Sequence, residues 1–190
     1  MSRVAIIVGH ARTGTFCEAL GVAYRDGAAA AGHDAQLFVT SRMTFDLILR
    51  DGFERVQPLE PDLAAAHKSF FAADHILIIF PLWLGTLPAI LKAFLERVLQ
   101  PALVEPAKLG RFTTPLAGKS ARVIITMGMP AFVYRWWFGA HALKMLKRNI
   151  LGFVGIAPVR ATIFGSIRSA DRRRLEAWLA RVRVLGTRLA

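Results

Sequence analysis

The sequence predicts an α/β domain in which five parallel strands form a sheet covered by helices on both faces. Three observations predict it. Apolar strand-like runs alternate with amphipathic helical segments along the chain, and right-handed crossovers keep strands connected in that way parallel. His75–Phe80 is an almost unbroken apolar run, the pattern of a parallel strand covered on both faces. An irregular aromatic loop, Pro81-Leu82-Trp83-Leu84-Gly85, then leads into Ile90, Leu91, Phe94, Leu95 and Val98, whose spacing is that of one buried helix face.

Taken in order, Arg3–Val8 reads as the first strand and Thr15–Ala31 as a helix ended by Gly32. His33–Thr40 supplies a second strand, followed by a long connection over 41–59. Pro61–Ala72 is helical, with proline tolerated in the first turn. After the third strand, Thr86 can cap a helix running to Gln100, whose first turn tolerates Pro88. Pro101–Gly118 reads as a proline-containing excursion and Ala121–Thr126 as the fourth strand. Residues 139–151 include a helix, and Val159–Phe164 is the fifth strand. The last helix begins near Ser169, with Leu175, Trp178, Leu179, Val182, Leu185 and Leu189 on its apolar side. The connections 41–59, 101–118 and 127–138 are candidate walls of a site rather than domain linkers. No internal repeat or low-complexity segment interrupts the pattern.

The 190 residues suit one domain spanning 1–190. Apolar residues make up 54% and mean hydropathy is +0.41, so some apolar surface is expected to be covered by a partner subunit, and a homodimer is expected. The longest apolar stretch, Ile76–Leu91, contains two prolines and a Gly-Thr break, and is shorter than the roughly 20 residues a spanning helix needs. Met1-Ser2-Arg3-Val4 runs directly into a strand without a secretory cleavage pattern, so a cytoplasmic location is expected. Twenty-five lysines and arginines against 13 acids give a net charge of +12, suited to nucleic acid, an anionic membrane or a phosphate-rich substrate. No nucleic-acid-binding signature accompanies the charge, and no nucleic-acid partner is expected. One cysteine excludes an intramolecular disulfide.

The first strand runs into Gly9-His10-Ala11-Arg12-Thr13-Gly14-Thr15-Phe16-Cys17-Glu18. Thr15 and Glu18 have the spacing of a capping box, and a helix start with its free amides can hold a phosphate. Thr13 and Thr15 can add hydroxyl donors, His10 and Arg12 charge or hydrogen bonds. Thr15-Phe16 stands where a Walker loop needs Lys-Ser/Thr, and the third glycine of a dinucleotide fingerprint is missing. An ATPase or a Rossmann-type dehydrogenase is therefore disfavoured. Taken alone, Thr15 could simply cap a helix and His10 fill a turn. Cys17 has the position of a reactive thiol at a helix start, but a small packing role suits it better. Ligands of open α/β sheets bind beyond the carboxyl ends of the strands, so Trp83 lies where a planar cofactor would bind; the alternative is an aromatic anchor between sheet and helix.

Phe80-Pro81-Leu82-Trp83, Leu87-Pro88-Ala89-Ile90-Leu91-Lys92 and Glu96-Arg97-Val98 together resemble the flavin-contacting region of NAD(P)H:quinone oxidoreductases of the DT-diaphorase type and their bacterial relatives. Val4–Leu20 and, more loosely, Val123–Phe164 extend the resemblance over most of the chain. It implies a flavodoxin-like three-layer sandwich of strand order 2-1-3-4-5. It implies a flavin, FMN preferred over FAD, with its phosphate on His10, Thr15, Phe16 and Cys17. In relatives the last position is commonly asparagine, so here a backbone contact is expected. Arg12 is added as a neighbouring cation. Pro81, Leu82, Trp83 and Leu84 are expected along the flavin ring, and Thr126, Met127 and Gly128 along its pyrimidine side, where the two methionines flanking Gly128 depart from a more glycine-rich turn.

In Pro130–Phe138, Tyr134 is a candidate to polarise a quinone oxygen and Arg135 to attract an NADPH phosphate, while His141 is a candidate for proton transfer. Aromatic packing or a dimer seal is the alternative for this segment. Arg172-Arg173-Arg174 reads as a solvated helix face. The resemblance implies hydride transfer from NADPH or NADH through the flavin to a quinone or related small-molecule acceptor, with no metal. Relatives also include cytoplasmic ancillary subunits of potassium-efflux systems, which makes a flavin-binding regulatory subunit, peripheral at the inner membrane surface, the alternative. An electron carrier is a third possibility, which the strong basic charge disfavours.

Overall fold

The structure is a computed structural model that describes residues 1–108 and 114–189; residues 109–113 of the expected 101–118 excursion lie outside the described residues. Strands β1 (Arg3–Val8), β2 (Asp34–Val39), β3 (His75–Pro81), β4 (Ser120–Thr126) and β5 (Val159–Phe164) form one sheet in the order β2-β1-β3-β4-β5. Every neighbouring pair is parallel, with Val4 opposite His75 and Ile79 opposite Ile124.

The central strands β1, β3 and β4 are buried on both faces, and their alternation divides the core. Ala5, Ile7, Ile76, Ile78, Phe80, Val123 and Ile125 face one layer. It is closed by helices α2 (Pro61–Ala72) and α3 (Ala89–Lys108) and by the short helix α4 (His141–Met145). Val4, Ile6, Val8, Leu77, Ile79 and Ile124 face the other, covered by α1 (Phe16–Ala30) and α5 (Arg172–Arg188). This is the flavodoxin-like three-layer arrangement.

Two helix boundaries differ from the sequence expectation. Thr86 does not cap α3. It closes a tight hairpin with Trp83, each donating its amide to the other's carbonyl at 3.0 and 2.9 Å. Leu84 and Gly85 between them have φ of +47° and +78°, the signature of a two-residue hairpin loop. Helix α3 then starts at Ala89 and runs through Pro101 to Lys108. Pro101 removes one helical hydrogen bond, but Leu99 and Val104 on either side of it are buried, and that packing carries the helix on.

The connection 41–59 is held against α3 by two side chains. The fully buried Arg97 donates to the carbonyls of Asp46 and Pro58, each at 2.7 Å, and to both carboxylate oxygens of Glu60 at 3.2 and 2.9 Å. Gln100 accepts from the Gln57 amide at 2.9 Å and donates to the carbonyls of Gly52 and Arg55. Residues 127–138, expected as a loop, contain a π-helical turn over Val133–Trp137. A second π-helical segment, Leu146–Leu151, continues α4.

Candidate flavin site

The carboxyl ends of the central strands meet at one edge. Gly9 donates to Ile79 O at 2.8 Å, Leu82 to Thr126 O at 2.8 Å and Met127 to Phe164 O at 2.9 Å. These bonds align the chain just after β1, β3 and β4. A cleft of about 350 Å³ opens there, lined by Pro81, Leu82, Trp83, Thr126, Met127, Gly128, Ile167 and Arg168. Its volume is that of a small-ligand site. Six of the expected flavin-contacting residues thus share one cleft.

The start of α1 reaches the same place. His10 lies edge-on to Trp83, ring centroids 5.1 Å apart. Its Nδ1 accepts the Arg12 amide at 2.9 Å, so the proton of the neutral ring sits on Nε2, free to donate. Burial, and secondarily the charge of Arg12, lower its pKa and favour that neutral form. Cys17 Sγ lies 3.2 Å from Thr126 Oγ1, tying the first turn of α1 to the cleft floor.

Thr15 caps α1 by accepting the Glu18 amide at 3.4 Å. The return bond of the expected capping box goes one residue further: Glu18 accepts the amide of Gly14, not of Thr15, at 2.8 Å. Its other oxygen pairs with Arg42. The amides of Phe16 and Cys17 in the first helical turn have no acceptor within the helix and form a ready anion site. Phe16 packs its ring against Trp178, so its backbone rather than its side chain is available. Arg12 and Leu84 are exposed at the rim.

Tyr134 departs from its expected place. It is buried, and its hydroxyl accepts the Leu143 amide at 3.1 Å, fastening the π-helical turn to α4. It does not line the cleft. His141 is exposed, and its ring packs over Gly139.

Ile167 and Arg168 were missed by the sequence reading. They follow β5 in a short 3₁₀ turn, with Ser166 donating to Met129 O and Ile167 to Met127 O at 2.9 and 3.1 Å. The signal available was positional: the turn after a fifth strand lies on the same sheet edge. Among the described residues no cluster of three or more His, Cys, Asp or Glu side chains could hold a metal.

The site fits a flavin on three grounds: free amides at a helix start, an aromatic wall and a cleft at the carboxyl edge. A doubly wound parallel sheet with a ligand cleft at that edge defines the class. Residues 2–185 match the family model described as flavodoxin-like fold, and the chain belongs to that family. A protein of Haemophilus influenzae named an uncharacterized NAD(P)H oxidoreductase is 29% identical over 119 residues, which are 62% of this chain and 59% of that protein. The match therefore spans under two thirds of that relative's length. Among solved structures, an NAD(P)H:quinone oxidoreductase from Methanothermobacter marburgensis superposes with a TM-score of 0.81 at 25% identity, covering 98% of this chain and 94% of that one. An FMN-dependent NADH-azoreductase from Bacillus anthracis, solved with FMN, superposes at 0.74 with 17% identity over 98% and 99% of the two chains, a likeness of fold.

Proposed function

We propose that this protein is a flavin-dependent NAD(P)H oxidoreductase that passes two electrons to quinones or related small-molecule acceptors, with FMN as the preferred flavin. The observation that carries the reading is the cleft lined by Trp83 and Thr126–Gly128, against which the start of α1 is set by the Cys17–Thr126 and His10–Trp83 contacts. The names of the relatives favour catalysis over a regulatory-subunit or electron-carrier role.

When bound, the flavin supplies the hydride chemistry; the protein supplies binding, orientation and electrostatics. The Phe16 and Cys17 amides and His10 Nε2–H hold the phosphate, with Arg12 as a neighbouring charge. Trp83 and Leu82 form an apolar wall that excludes water from one side of the ring. Thr126 and the backbone of Gly128 orient the other end. His141 is the candidate to move a proton to the acceptor. Tyr134 acts as a positioning residue through its bond to Leu143. Homodimerisation is part of the reading, supported by an apolar groove formed by Phe53, Leu95, Leu99, Leu103, Ile150 and Phe153.

The test is the visible spectrum of flavin-reconstituted, desalted protein before and after anaerobic NADPH or NADH. Retained flavin that bleaches supports the proposal; folded protein that retains neither FMN nor FAD overturns it. Arg168 lies beside Gly128, where an added Cβ would be 3.9 Å from its Cδ and Nε, and offers a positive charge at the cleft rim. Replacing Arg168 with Ala should weaken FMN retention by about tenfold, the scale of one charge-assisted hydrogen bond. Equilibrium dialysis against FMN measures it, and an unchanged affinity removes Arg168 from the site.

A further inference from the structure

The π-helical turn divides an aromatic segment into an inward and an outward set. Tyr134 is buried, whereas Phe132 is 66% exposed, Trp136 85%, Trp137 84% and Phe138 50%. Exposed tryptophan at that level, twice in succession, needs a partner surface. The turn is held rigidly enough to present it: Phe138 donates to Val133 O at 3.2 Å, Ala140 to Tyr134 O at 3.0 Å, and Leu143 to the Tyr134 hydroxyl. The patch begins four residues beyond Gly128, which lines the cleft.

Its charge identifies the partner. Between Glu105 and Asp171 the sequence holds ten lysines and arginines and no aspartate or glutamate. Within that stretch Arg135 is exposed inside the aromatic patch, and Lys144 and Arg148 are exposed on the segment that Tyr134 tethers to it. A two-fold contact between copies of this patch would set cation against cation with no acid of the stretch to offset them, which is unfavourable. Tryptophan flanked by Lys and Arg is instead the composition that settles into the headgroup layer of an anionic bilayer. No helix among the described residues is long and apolar enough to cross a membrane, so the contact is peripheral.

We propose that the Phe132–Phe138 turn, with Arg135, Lys144 and Arg148, docks this protein on anionic lipid bilayers with the mouth of the flavin cleft beside the membrane. That the cleft would then meet lipid-dissolved acceptors rests on the oxidoreductase reading; vesicle binding itself does not.

The experiment is co-sedimentation of the full chain with vesicles of phosphatidylglycerol and phosphatidylethanolamine, and with vesicles of phosphatidylcholine alone, at 0.1 M salt. Binding is expected to the first and weak or absent to the second. The double variant Trp136→Ala/Trp137→Ala should lose about tenfold or more in anionic-vesicle affinity. Arg135→Gln and Lys144→Gln should each lose about fivefold, and all should keep the wild-type circular dichroism. Absence of binding to anionic vesicles overturns the proposal. So does undiminished binding by the folded tryptophan variant, which would mean adsorption through charge elsewhere. A protein that is dimeric by sedimentation velocity, and monomeric once both tryptophans are replaced, would assign the patch to a second copy and overturn it too. Flavin retention measured in the same samples separates failure of membrane docking from failure of the oxidoreductase reading.

Discussion

Cys17 lies in the first turn of α1, where a helix N-terminus ordinarily activates a thiol. Here burial dominates: the pKa is pushed up to about 11, only partly offset by the Thr126 hydroxyl. The thiol is a packing group that joins α1 to the cleft floor. We expect Ellman's reagent to leave native protein unmodified at pH 7.5 and to titrate one thiol after unfolding in urea; rapid reaction of the folded form would contradict this. Leu84 shows the opposite economy. It is fully exposed at a positive φ, a conformation that disfavours a side chain, yet it keeps the hairpin that aims Trp83 into the cleft.

At the scale of elements, α1 and α5 approach through glycines. A Cβ on Gly27 would lie 2.0 Å from Arg183 O, and one on Gly186 2.2 Å from Tyr24 O. Both obstacles are backbone, so the helices would have to separate. Replacing Gly186 with Ala should destabilise the protein by about 2 kcal/mol, because overpacking exceeds the gain of about 1 kcal/mol in helix propensity. Urea unfolding gives the value; a stabilised variant would mean the helices part easily. Arg97 plays the corresponding role between α3 and the 41–59 connection. Arg97→Ala removes the donor to two carbonyls and the guanidinium from Glu60, which keeps the Asp46 amide at 3.0 Å. Glu60 retains 30% side-chain exposure and can recover some water, so the cost falls near the low end for breaking a buried pair, about 3 kcal/mol. Faster proteolysis between residues 46 and 58 should accompany it. The same digestion rate as wild type would show that Gln100 and the Asp46–Glu60 and Thr44–Asp62 bonds suffice to hold the loop.

Across the whole molecule, stability should fall in mild acid, and His75 is one cause. It is buried at the start of β3, with Nδ1 2.7 Å from Ser120 Oγ and Nε2 without a partner. Burial, then the charges of Arg122, Arg160 and His33, lower its pKa to about 4 from an ordinary 6.5. Above 6.5 the ring is neutral whether the chain is folded or not. As the pH falls from 6.5 the unfolded chain gains a proton that the folded chain refuses, so stability is lost through about pH 4 and no further below it. The full loss from this group is about 3 kcal/mol. His75→Phe should remove that slope: the difference in unfolding free energy between wild type and variant should change by about 3 kcal/mol between pH 7 and 4. A constant difference would mean that water reaches the ring.

The sequence alone determined the strands, the five-stranded sheet and most of the helices, because apolar periodicity and end signals such as Thr15 are local properties that chain neighbours enforce. Family resemblance added the strand order, and with it the expectation that His10, Trp83 and Thr126–Gly128 share a sheet edge. Only the tertiary structure decided which side chains reach that edge. Tyr134 turns inward, where α4 offers its hydroxyl the Leu143 amide, and Arg168 enters the cleft because the turn after β5 bonds to Met127 and Met129. Thr86 pairs with Trp83 instead of capping α3, and α3 outlasts Pro101. The hairpin's paired amides override the capping preference of Thr86 and core packing overrides Pro101, local preferences worth about 1–3 kcal/mol, and sequence spacing does not encode which contact wins.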